Sequence, residues 1–240
     1  MERLQKRIAS LGYCSRRKAE ELIKEGKVFV NGKLVIELGF KVEDKDQIMI
    51  DCIVLEEEQK VYYLLNKPRG VVSTTSDEKG RKTIVSLIDT DIRIFPIGRL
   101  DYDTTGLIIL TNDGELSNLL MHPKNNIEKT YIAKINGKLL PNELMSLKKG
   151  VVIDNIKTKK SKVKIKNYDK NTDTSIIEIT ITEGRNHQVK KMFERVNHKV
   201  LKLKREKYAF LTLEGLSSKD YRTLTIKEVQ KLYNLAKNYK

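Results

Sequence analysis

The spacing of apolar residues along about the first 55 positions predicts two short helices followed by a hairpin. The first helix has apolar residues at helical spacing and ends at Gly12. The second helix is capped by Ser15 and ends at Gly26. Two β-prone runs then flank Asn31-Gly32, a dipeptide that favours a tight hairpin turn. A further strand from Gln47 to Val54 completes this small unit.

The rest of the chain mixes strand and helix patterns. Strand-forming runs occur at Val61 to Asn66, Gly106 to Thr111, Thr130 to Ile135 and Ser175 to Thr182. Helical spacing occurs at Gly114 to Met121, His187 to Val196 and Lys227 to Lys237. This mixture predicts an α+β fold, in which helices flank a mixed, largely antiparallel sheet. Because the polar run from Glu56 to Lys60 is typical of a junction, we predict domains at residues 1–58 and 61–240.

Charge makes this chain a candidate partner of a polyanion. Its 240 residues include 47 Lys and Arg against 32 Asp and Glu, a formal net charge of +15. The basic residues concentrate in three stretches, at residues 3–33, 157–166 and 185–207. Three such stretches indicate a long anionic ligand, with nucleic acid as the first candidate and a merely soluble basic surface as the alternative.

The remaining composition concerns the cellular setting. Cys14 and Cys52 lack the spacing of a metal site or of a disulfide framework. The first residues lack the apolar core of a secretory signal, and no apolar run approaches membrane-spanning length. We therefore expect a cytoplasmic protein that is neither exported nor inserted into a membrane.

The basic residues of the first domain gather around its second predicted helix, at Arg16, Arg17, Lys18, Lys24 and Lys27. A lysine-rich face is common on any exposed helix. The order of two helices and a hairpin nevertheless resembles the S4 domain, an RNA-binding domain named after a protein of the small ribosomal subunit. The resemblance implies that these five residues contact structured RNA.

Three segments of the second domain contain residues that folding alone explains poorly. They are Asn66-Lys67-Pro68-Arg69-Gly70, Gly98-Arg99-Leu100-Asp101, and the run from Glu183 through Arg185, Asn186 and His187 to Met192. In the second of them, an acid stands in a loop just before an apolar strand. Such a carboxylate either caps a turn or is held there as a reactive group.

Metal chemistry is disfavoured by the same residues. A hard cation needs several converging oxygens, and of the candidates Asp101, Asp103 and Asp113 the last lies in a turn that can cap the following helix. The histidines at positions 122, 187 and 198 have no ligand spacing, and no glycine-rich phosphate loop occurs. We expect neither a metal nor a cofactor.

Together with Thr105-Gly106-Leu107 and Glu128-Lys129-Thr130-Tyr131, the three segments resemble the ordered motifs of the RsuA/RluB pseudouridine synthases. An S4 domain commonly accompanies the catalytic domain in that family. The resemblance implies an enzyme that breaks the bond between ribose C1′ and uracil N1, turns the base and rejoins it through C5.

By motif position, the resemblance implies that Asp101 is the catalytic aspartate. An ionised carboxylate can add to a sugar or base carbon or remove the C2′ proton, and the sequence does not choose among these routes. A buried carboxylate needs a cation to stay ionised. The resemblance implies that this cation is Lys190, where many relatives have Arg; a solvated helix face is the alternative.

The resemblance gives Tyr131 two tasks, stacking on the target uracil and handling the C5 proton, although a tyrosine in a strand is usually just a half-buried aromatic. It also implies RNA contacts by Lys67, Arg99, Arg185 and Lys191. Arg99 would grip a phosphate or occupy the space vacated by the flipped-out uridine.

The family branch is indicated by Leu65 to Thr74, Gly80-Arg81-Lys82-Thr83 and His122-Pro123, which look closer to the branch that modifies large-subunit RNA. We expect a monomeric enzyme acting on 23S ribosomal RNA, free or within an assembly particle. A 16S enzyme and a non-catalytic RNA-binding assembly factor are the alternatives. Two departures from the family pattern concern glycines: Asn197 replaces one, and Tyr208-Ala209-Phe210 replaces a glycine-containing run, which bears on substrate preference.

Overall fold

The computed structural model describes residues 1–237, which divide into two compact units. The first unit comprises Met1–Val61, Asp89–Ile94 and Asn112–Gly114, and the second comprises Tyr62–Ile88, Phe95–Thr111 and the chain from Glu115 onward. Two short segments after the polar junction, residues 89–94 and 112–114, therefore belong to the first unit. The predicted domains, residues 1–58 and 61–240, place both segments in the second domain.

The first unit contains the predicted helices and hairpin. Its elements are β1 (Glu2–Arg3), α1 (Leu4–Ser10), α2 (Arg16–Lys24), β2 (Val28–Val30), β3 (Lys33–Leu34), β4 (Lys41–Val42), β5 (Ile48–Ile50) and β6 (Ile53–Val54). The Ser15 hydroxyl caps α2 by accepting a hydrogen bond from the Lys18 backbone N–H at 3.1 Å. Asn31 and Gly32 both have positive φ, as the tight turn between β2 and β3 requires.

The strand predicted from Gln47 to Val54 is wrong as a single element. The structure has two antiparallel strands there, β5 and β6, joined by a turn at Asp51 and Cys52. These two residues have φ values of 49° and 65°, so the chain reverses where the apolar pattern reads as continuous.

The second unit is built around one large sheet. Its elements are β7 (Tyr62–Lys67), β8 (Phe95–Pro96), β9 (Thr105–Thr111), α3 (Gly114–Met121), β10 (Lys129–Asn136), α4 (Pro141–Lys149), β11 (Val152–Ile153), β12 (Ile156–Lys157), β13 (Lys162–Asp169), β14 (Thr174–Ile181), α5 (Gln188–Glu194), β15 (Val200–Tyr208), β16 (Leu211–Thr212), β17 (Tyr221–Thr223) and α6 (Ile226–Lys237), with 3₁₀ turns at Val85–Leu87 and Pro123–Asn125.

Within residues 1–237 this sheet has nine strands, with the main path β13-β14-β10-β15-β9-β7-β17. β15 runs parallel to β9, and the other strand pairs of the sheet are antiparallel. Leu116 of α3 and Leu232 of α6 are fully buried against Leu64 and Leu107 of the sheet. The prediction of an α+β fold with helices on a mixed, mostly antiparallel sheet is confirmed.

The predicted strands and helices of this unit are present with small shifts at their ends, but β13, α4 and β15 were not predicted. β13 and β15 are rich in lysine, so their apolar alternation is weak. Asn197 has φ 63° and therefore takes the left-handed conformation expected of a glycine substitute, and Ala209 has φ 52°.

Gly106 allows the parallel contact between β9 and β15. It pairs with Arg205, and a Cβ at Gly106 would lie 2.3 Å from the Arg205 carbonyl oxygen. Its φ of +109° is likewise open only to glycine. The absence of a side chain here lets the backbone of β15 approach β9 closely.

No helix within residues 1–237 combines the length and apolarity that a bilayer crossing requires.

Candidate active site

A row of paired residues crosses four neighbouring strands and gathers the distant motifs. Tyr131 on β10 pairs with Arg205 on β15, Arg205 pairs with Gly106 on β9, and Gly106 pairs with Lys67 on β7. Side chains of paired residues on neighbouring strands lie close together. The sheet register therefore brings three motifs that are far apart in sequence to one place.

Asp101 stands in the loop before β9, and its backbone is held on several sides. The Asp101 carbonyl accepts hydrogen bonds from the Lys67 ammonium at 3.0 Å and from the Thr104 N–H at 3.1 Å. At the preceding residue, the Ser73 hydroxyl donates to the Leu100 carbonyl and accepts from the Leu100 N–H. These bonds fix the direction in which the Asp101 side chain leaves the loop.

Lys67 is fully buried, which differs from the RNA contact predicted for it. Its ammonium donates to the carbonyl oxygens of Pro68, Asp101 and Thr104 at 2.9 to 3.1 Å. All three N–H groups are thereby used. Burial lowers the pKa of Lys67 to about 8, although Asp101 and Asp103 act to raise it. Lys67 is placed to hold the aspartate loop rather than to meet a phosphate.

The Asp101 carboxylate lies beside the cation predicted for it. Lys190 Nζ is 3.1 Å from Asp101 Oδ2 and 2.7 Å from Asp103 Oδ1. Burial lowers the pKa of Lys190, but hydrogen bonds from its ammonium to Asp103 and Asp101 outweigh burial and the net pKa is raised. His187 Nε2 lies 3.5 Å from Asp101 Oδ1. Asp101 thus faces a charged ammonium on one side and an imidazole on the other.

The motif from Glu183 to Gln188 is braced by its own side chains. Gln188 is buried, donates to Glu183 Oε1 at 2.7 Å, and accepts from the Arg185 N–H at 2.9 Å. His187, the residue directly before α5, has a left-handed backbone conformation with φ 54°. This turn orients the first residues of α5, including Lys190, towards the aspartate loop.

A cavity of about 660 Å³ opens beside these groups. Asp101, Tyr131, Lys190 and Arg205 contribute to its lining, together with residues of the Glu183 motif. Tyr131 is 8% exposed, and the Arg205 guanidinium carbon lies 6.0 Å from the centre of its ring. A volume of this size falls within the range of pockets that hold small organic ligands and is ample for a nucleoside.

Replacement of Lys190 is expected to damage activity selectively. We expect Lys190→Ala to lower the rate of the uridine isomerisation that the motif resemblance implies by about 10² to 10³-fold, because the cation beside Asp101 is lost in a partly buried site. Lys190→Arg should remain within about tenfold of wild type, since it keeps the charge with a different geometry. Single-turnover isomerisation assays would measure both rates.

Lys191→Ala is the matched control for this experiment. Lys191 follows on the same helix but pairs with Asp154 at 2.6 Å. We expect its loss to change the chemical rate by less than about threefold, as is usual for an exposed ion pair. Equal losses in the two alanine variants would refute a specific role for Lys190.

Lys129 is a second lysine of the cavity lining with an unusual pKa. Burial, reinforced by the charges of Arg205 and Lys159, lowers its pKa to about 8. Its ammonium donates to the Ile127 carbonyl at 3.2 Å and lies 5.4 Å from the centre of the Tyr208 ring. Folding therefore favours the neutral amine of Lys129.

This pKa predicts that stability rises with pH. Between about pH 8 and the ordinary lysine pKa of 10.5, the unfolded chain keeps the proton on Lys129 while the folded chain has released it. Because the unfolded state binds more protons, the free energy of unfolding increases across this window, by at most about 3 kcal/mol from this residue. Urea unfolding at a series of pH values should show a steeper rise for wild type than for Lys129→Met. Identical slopes would contradict the shifted pKa.

The remaining predicted RNA contacts have different surroundings. Arg99 is exposed and lines the cavity. Arg185 donates to the carbonyls of Ile156 and Lys157, so its guanidinium is already engaged in bracing a neighbouring hairpin. In the first unit, the five predicted basic residues are all exposed, and Lys18 and Lys27 form ion pairs with Glu21 and Glu25.

Sequence reasoning missed two charged partners in this site. Asp103 shares Lys190 with Asp101, and the lysine holds the pKa of Asp103 below its usual value. Arg205 is 2% exposed and contacts Tyr131. Its alternation with the buried Leu203 on β15 is the signal that could have placed it on the inward face.

Metal binding finds no support in the geometry of the described chain. Within residues 1–237, no three His, Cys, Asp or Glu side chains converge as a metal would require. Asp101 and Asp103 are instead bridged by the Lys190 ammonium.

The sequence and the overall fold match a known class of enzyme. Residues 61–195 match the sequence profile of the family described as RNA pseudouridylate synthase, and residues 2–48 match the S4 domain. The chain belongs to the RNA pseudouridine synthase family and carries an S4 domain at its N-terminal side.

Individual relatives cover nearly the whole chain. The chain is 56% identical over 238 residues to the ribosomal large subunit pseudouridine synthase B of Bacillus subtilis strain 168, covering 98% of this chain and 97% of that protein. It is 41% identical to an uncharacterized RNA pseudouridine synthase of Aquifex aeolicus strain VF5, covering 96% and 93%. Among solved structures, a crystal structure of pseudouridylate synthase superposes with a TM-score of 0.71 at 33% identity, covering 97% of this chain and 100% of the other.

Proposed function

We propose that this protein converts a uridine of large-subunit ribosomal RNA to pseudouridine, with Asp101 as the reacting group. The observation that carries the proposal is the position of the Asp101 carboxylate, which lines a nucleoside-sized cavity while paired with Lys190. The relative named as a large-subunit synthase, matched over nearly its full length, supports the choice of RNA.

The reaction needs a carboxylate that is ionised yet shielded from bulk water. The Asp101 side chain is 27% exposed, and its ammonium partner Lys190 is 18% exposed. The Lys190 ammonium, 3.1 Å from Asp101 Oδ2, places a positive charge directly beside the carboxylate. Asp101 can then act as nucleophile towards a sugar or base carbon, or as base towards the C2′ proton, and both routes start from the same carboxylate.

Tyr131 is proposed to hold the uracil once it has left the RNA helix. Tyr131 lines the cavity, and the guanidinium carbon of Arg205 lies 6.0 Å from the centre of its ring. Stacking of a base on an aromatic ring contributes about 1 to 3 kcal/mol, which offsets part of the cost of unstacking. The Tyr131 hydroxyl is proposed to handle the proton that leaves C5.

The first unit is proposed to bind RNA through its α2 face. Arg16, Arg17, Lys18 and Lys24 are exposed along α2, and the exposed Lys27 follows the helix. Contacts of this kind bind phosphates irrespective of sequence and make affinity strongly salt-dependent.

Tritium release from C5-labelled uridine tests the proposed reaction. Large-subunit and small-subunit RNA from cells lacking this protein would be offered both free and in assembly particles. We expect release from one site in large-subunit RNA. Tritium release from small-subunit RNA alone would overturn the choice of large-subunit RNA. If the protein bound RNA but released tritium from none of these substrates, it would be an assembly factor and not an enzyme.

Charge removal tests the role of α2. We expect Arg16→Gln with Arg17→Gln to weaken RNA binding and to reduce the slope of log affinity against log salt by about 1.5, since two phosphate contacts are lost. Lys41→Gln with Lys45→Gln removes the same charge from exposed positions of the same unit. Filter-binding titrations at several salt concentrations would measure both slopes. Equal changes in the two double variants would show that only overall charge matters.

A further inference from the structure

Arg205 is an arginine fixed in the interior of the site. Its Nε–H donates to the Leu107 carbonyl at 2.6 Å, and Nη1 lies 3.5 Å from the Tyr131 hydroxyl. The guanidinium carbon lies 5.3 Å from the centre of the Tyr208 ring as well as 6.0 Å from that of Tyr131. Two rings and a backbone acceptor therefore set the plane of the guanidinium before any substrate arrives.

One nitrogen of the Arg205 guanidinium makes no hydrogen bond within the described part of the chain. Nη2 is buried and has no hydrogen-bond partner among residues 1–237. Buried hydrogen-bond donors in folded proteins nearly always have an acceptor. A donor without one destabilises the fold, and the free-energy cost is largest when the donor belongs to a charged group. Arg205 lines the same cavity as Asp101 and Tyr131. A molecule bound in this cavity can therefore supply the hydrogen-bond acceptor that Nη2 lacks.

We propose that Arg205 Nη2 donates a hydrogen bond to the C4 carbonyl oxygen of the bound target uracil and thereby selects uracil over cytosine. This inference rests on the proposed function. A guanidinium offers donors only. Uracil presents carbonyl oxygens at both C2 and C4, whereas cytosine presents an amino group at C4, which would leave two donors facing each other.

The turn of the base during the reaction makes a single donor sufficient. The C1′–N1 bond breaks with its electron pair on the base, the base turns about its N3–C6 axis, and C5 forms the new bond to C1′. The proton on C5 is then lost and N1 gains a proton, so the overall change is an isomerisation. This turn exchanges the places of the C2 and C4 carbonyls, and an acceptor faces Nη2 both before and after it.

The fixed charge also suits the detached base. When the C1′–N1 bond breaks, negative charge spreads onto the carbonyl oxygens of uracil. A preorganised cation aimed at such an oxygen stabilises that charge without having to reorganise. Burial raises the pKa of Tyr208, so the ring on the other side of Arg205 remains a neutral phenol that donates to the Leu120 carbonyl.

Sulfur substitution at the two carbonyls tests the hydrogen bond in the wild-type protein, where folding is not in question. Single-turnover conversion would be measured for RNA with uridine, 2-thiouridine or 4-thiouridine at the target position, with products separated by chromatography of the digested RNA. Sulfur is a poorer acceptor than oxygen. We expect at least one thio substitution to slow conversion by about tenfold.

The Arg205→Lys and Arg205→Gln variants then assign this effect to Arg205. If Nη2 reads a carbonyl, the ratio of uridine to thiouridine rates falls towards one in both variants; a purely structural Arg205 would slow all three RNAs by the same factor. In the unreactive Asp101→Asn background, competitor RNA with cytidine at the target should bind about tenfold less well than uridine RNA, and Arg205→Gln should narrow this gap.

The outcomes separate this inference from the reaction itself. Unchanged rates with both thiouridines in active wild-type protein, or unchanged ratios in folded Arg205 variants, would overturn the carbonyl contact and leave the synthase proposal intact. Absence of conversion with unmodified uridine would overturn the synthase proposal first. Thermal unfolding of each variant identifies any that fail to fold, and for those the wild-type thiouridine result decides.

Discussion

Asp101→Asn is expected to lower the rate of tritium release by about 10⁴-fold, the upper end of what one acid–base or nucleophilic group contributes. The amide has nearly the shape of the carboxylate but carries no negative charge, so it neither attacks carbon nor accepts the C2′ proton. Lys190 keeps Asp103 as a partner at 2.7 Å, which limits the structural consequence. Folding and RNA affinity should therefore stay close to wild type, and rate assays alongside binding titrations would measure the difference.

Two further substitutions of aspartate by asparagine serve as controls. Asp103→Asn removes the other partner of Lys190 without touching Asp101, and we expect a loss of no more than about tenfold. Asp44→Asn changes a side chain that is 91% exposed in the first unit and should have no effect on rate. An active Asp101→Asn enzyme would remove Asp101 from the chemistry. A loss shared equally by Asp103→Asn would make the pair, rather than Asp101 alone, the functional group.

Gly106→Ala is expected to destabilise the second unit by about 4 kcal/mol. Part of this cost comes from forcing a residue with a side chain into φ +109°, and part from the overlap of its Cβ with the Arg205 backbone, whose N and O would lie 2.7 and 2.3 Å away. Such a loss is a large fraction of the whole stability of a typical domain. Urea unfolding followed by circular dichroism would measure it.

Gly80→Ala separates the two sources of this cost. Gly80 also has positive φ, at +66°, but a Cβ there would meet no atom within 4 Å. We expect about 1 kcal/mol of destabilisation from backbone strain alone. If Gly106→Ala were no worse than Gly80→Ala, the close approach of β9 and β15 would not matter to the fold.

The site divides its positive charges among separate structural tasks. Lys67 holds the backbone of the aspartate loop, Lys190 pairs with the Asp101 carboxylate, and Arg205 lies between two aromatic rings. Each of these cations has its own partners in the structure. This arrangement explains why removing any one of them should have a distinct effect.

Much of the fold was predictable because it depends on local patterns. The Asn31-Gly32 hairpin, the Ser15 cap and the buried strand β9 all follow from residues close together in sequence. Elements without a strong apolar pattern escaped prediction. On β15, lysine and arginine are interspersed with apolar residues, and the alternation of Arg205 with Leu203 is only a weak sign that the arginine faces inward.

The sequence by itself determined the elements with strong apolar patterns and the order of the motifs, since both are properties of the chain. Through the family resemblance, those motifs also gave the candidate triplet of Asp101, Tyr131 and Lys190. Only the tertiary structure decided the roles of Lys67 and Arg205. Their burial depends on sheet pairings with residues far away in sequence: Lys67 reaches Asp101 34 positions on, and Arg205 reaches Leu107 98 positions back. A local pattern reports which face of a strand is apolar, but it does not contain the register that places a charged side chain beside its distant partner.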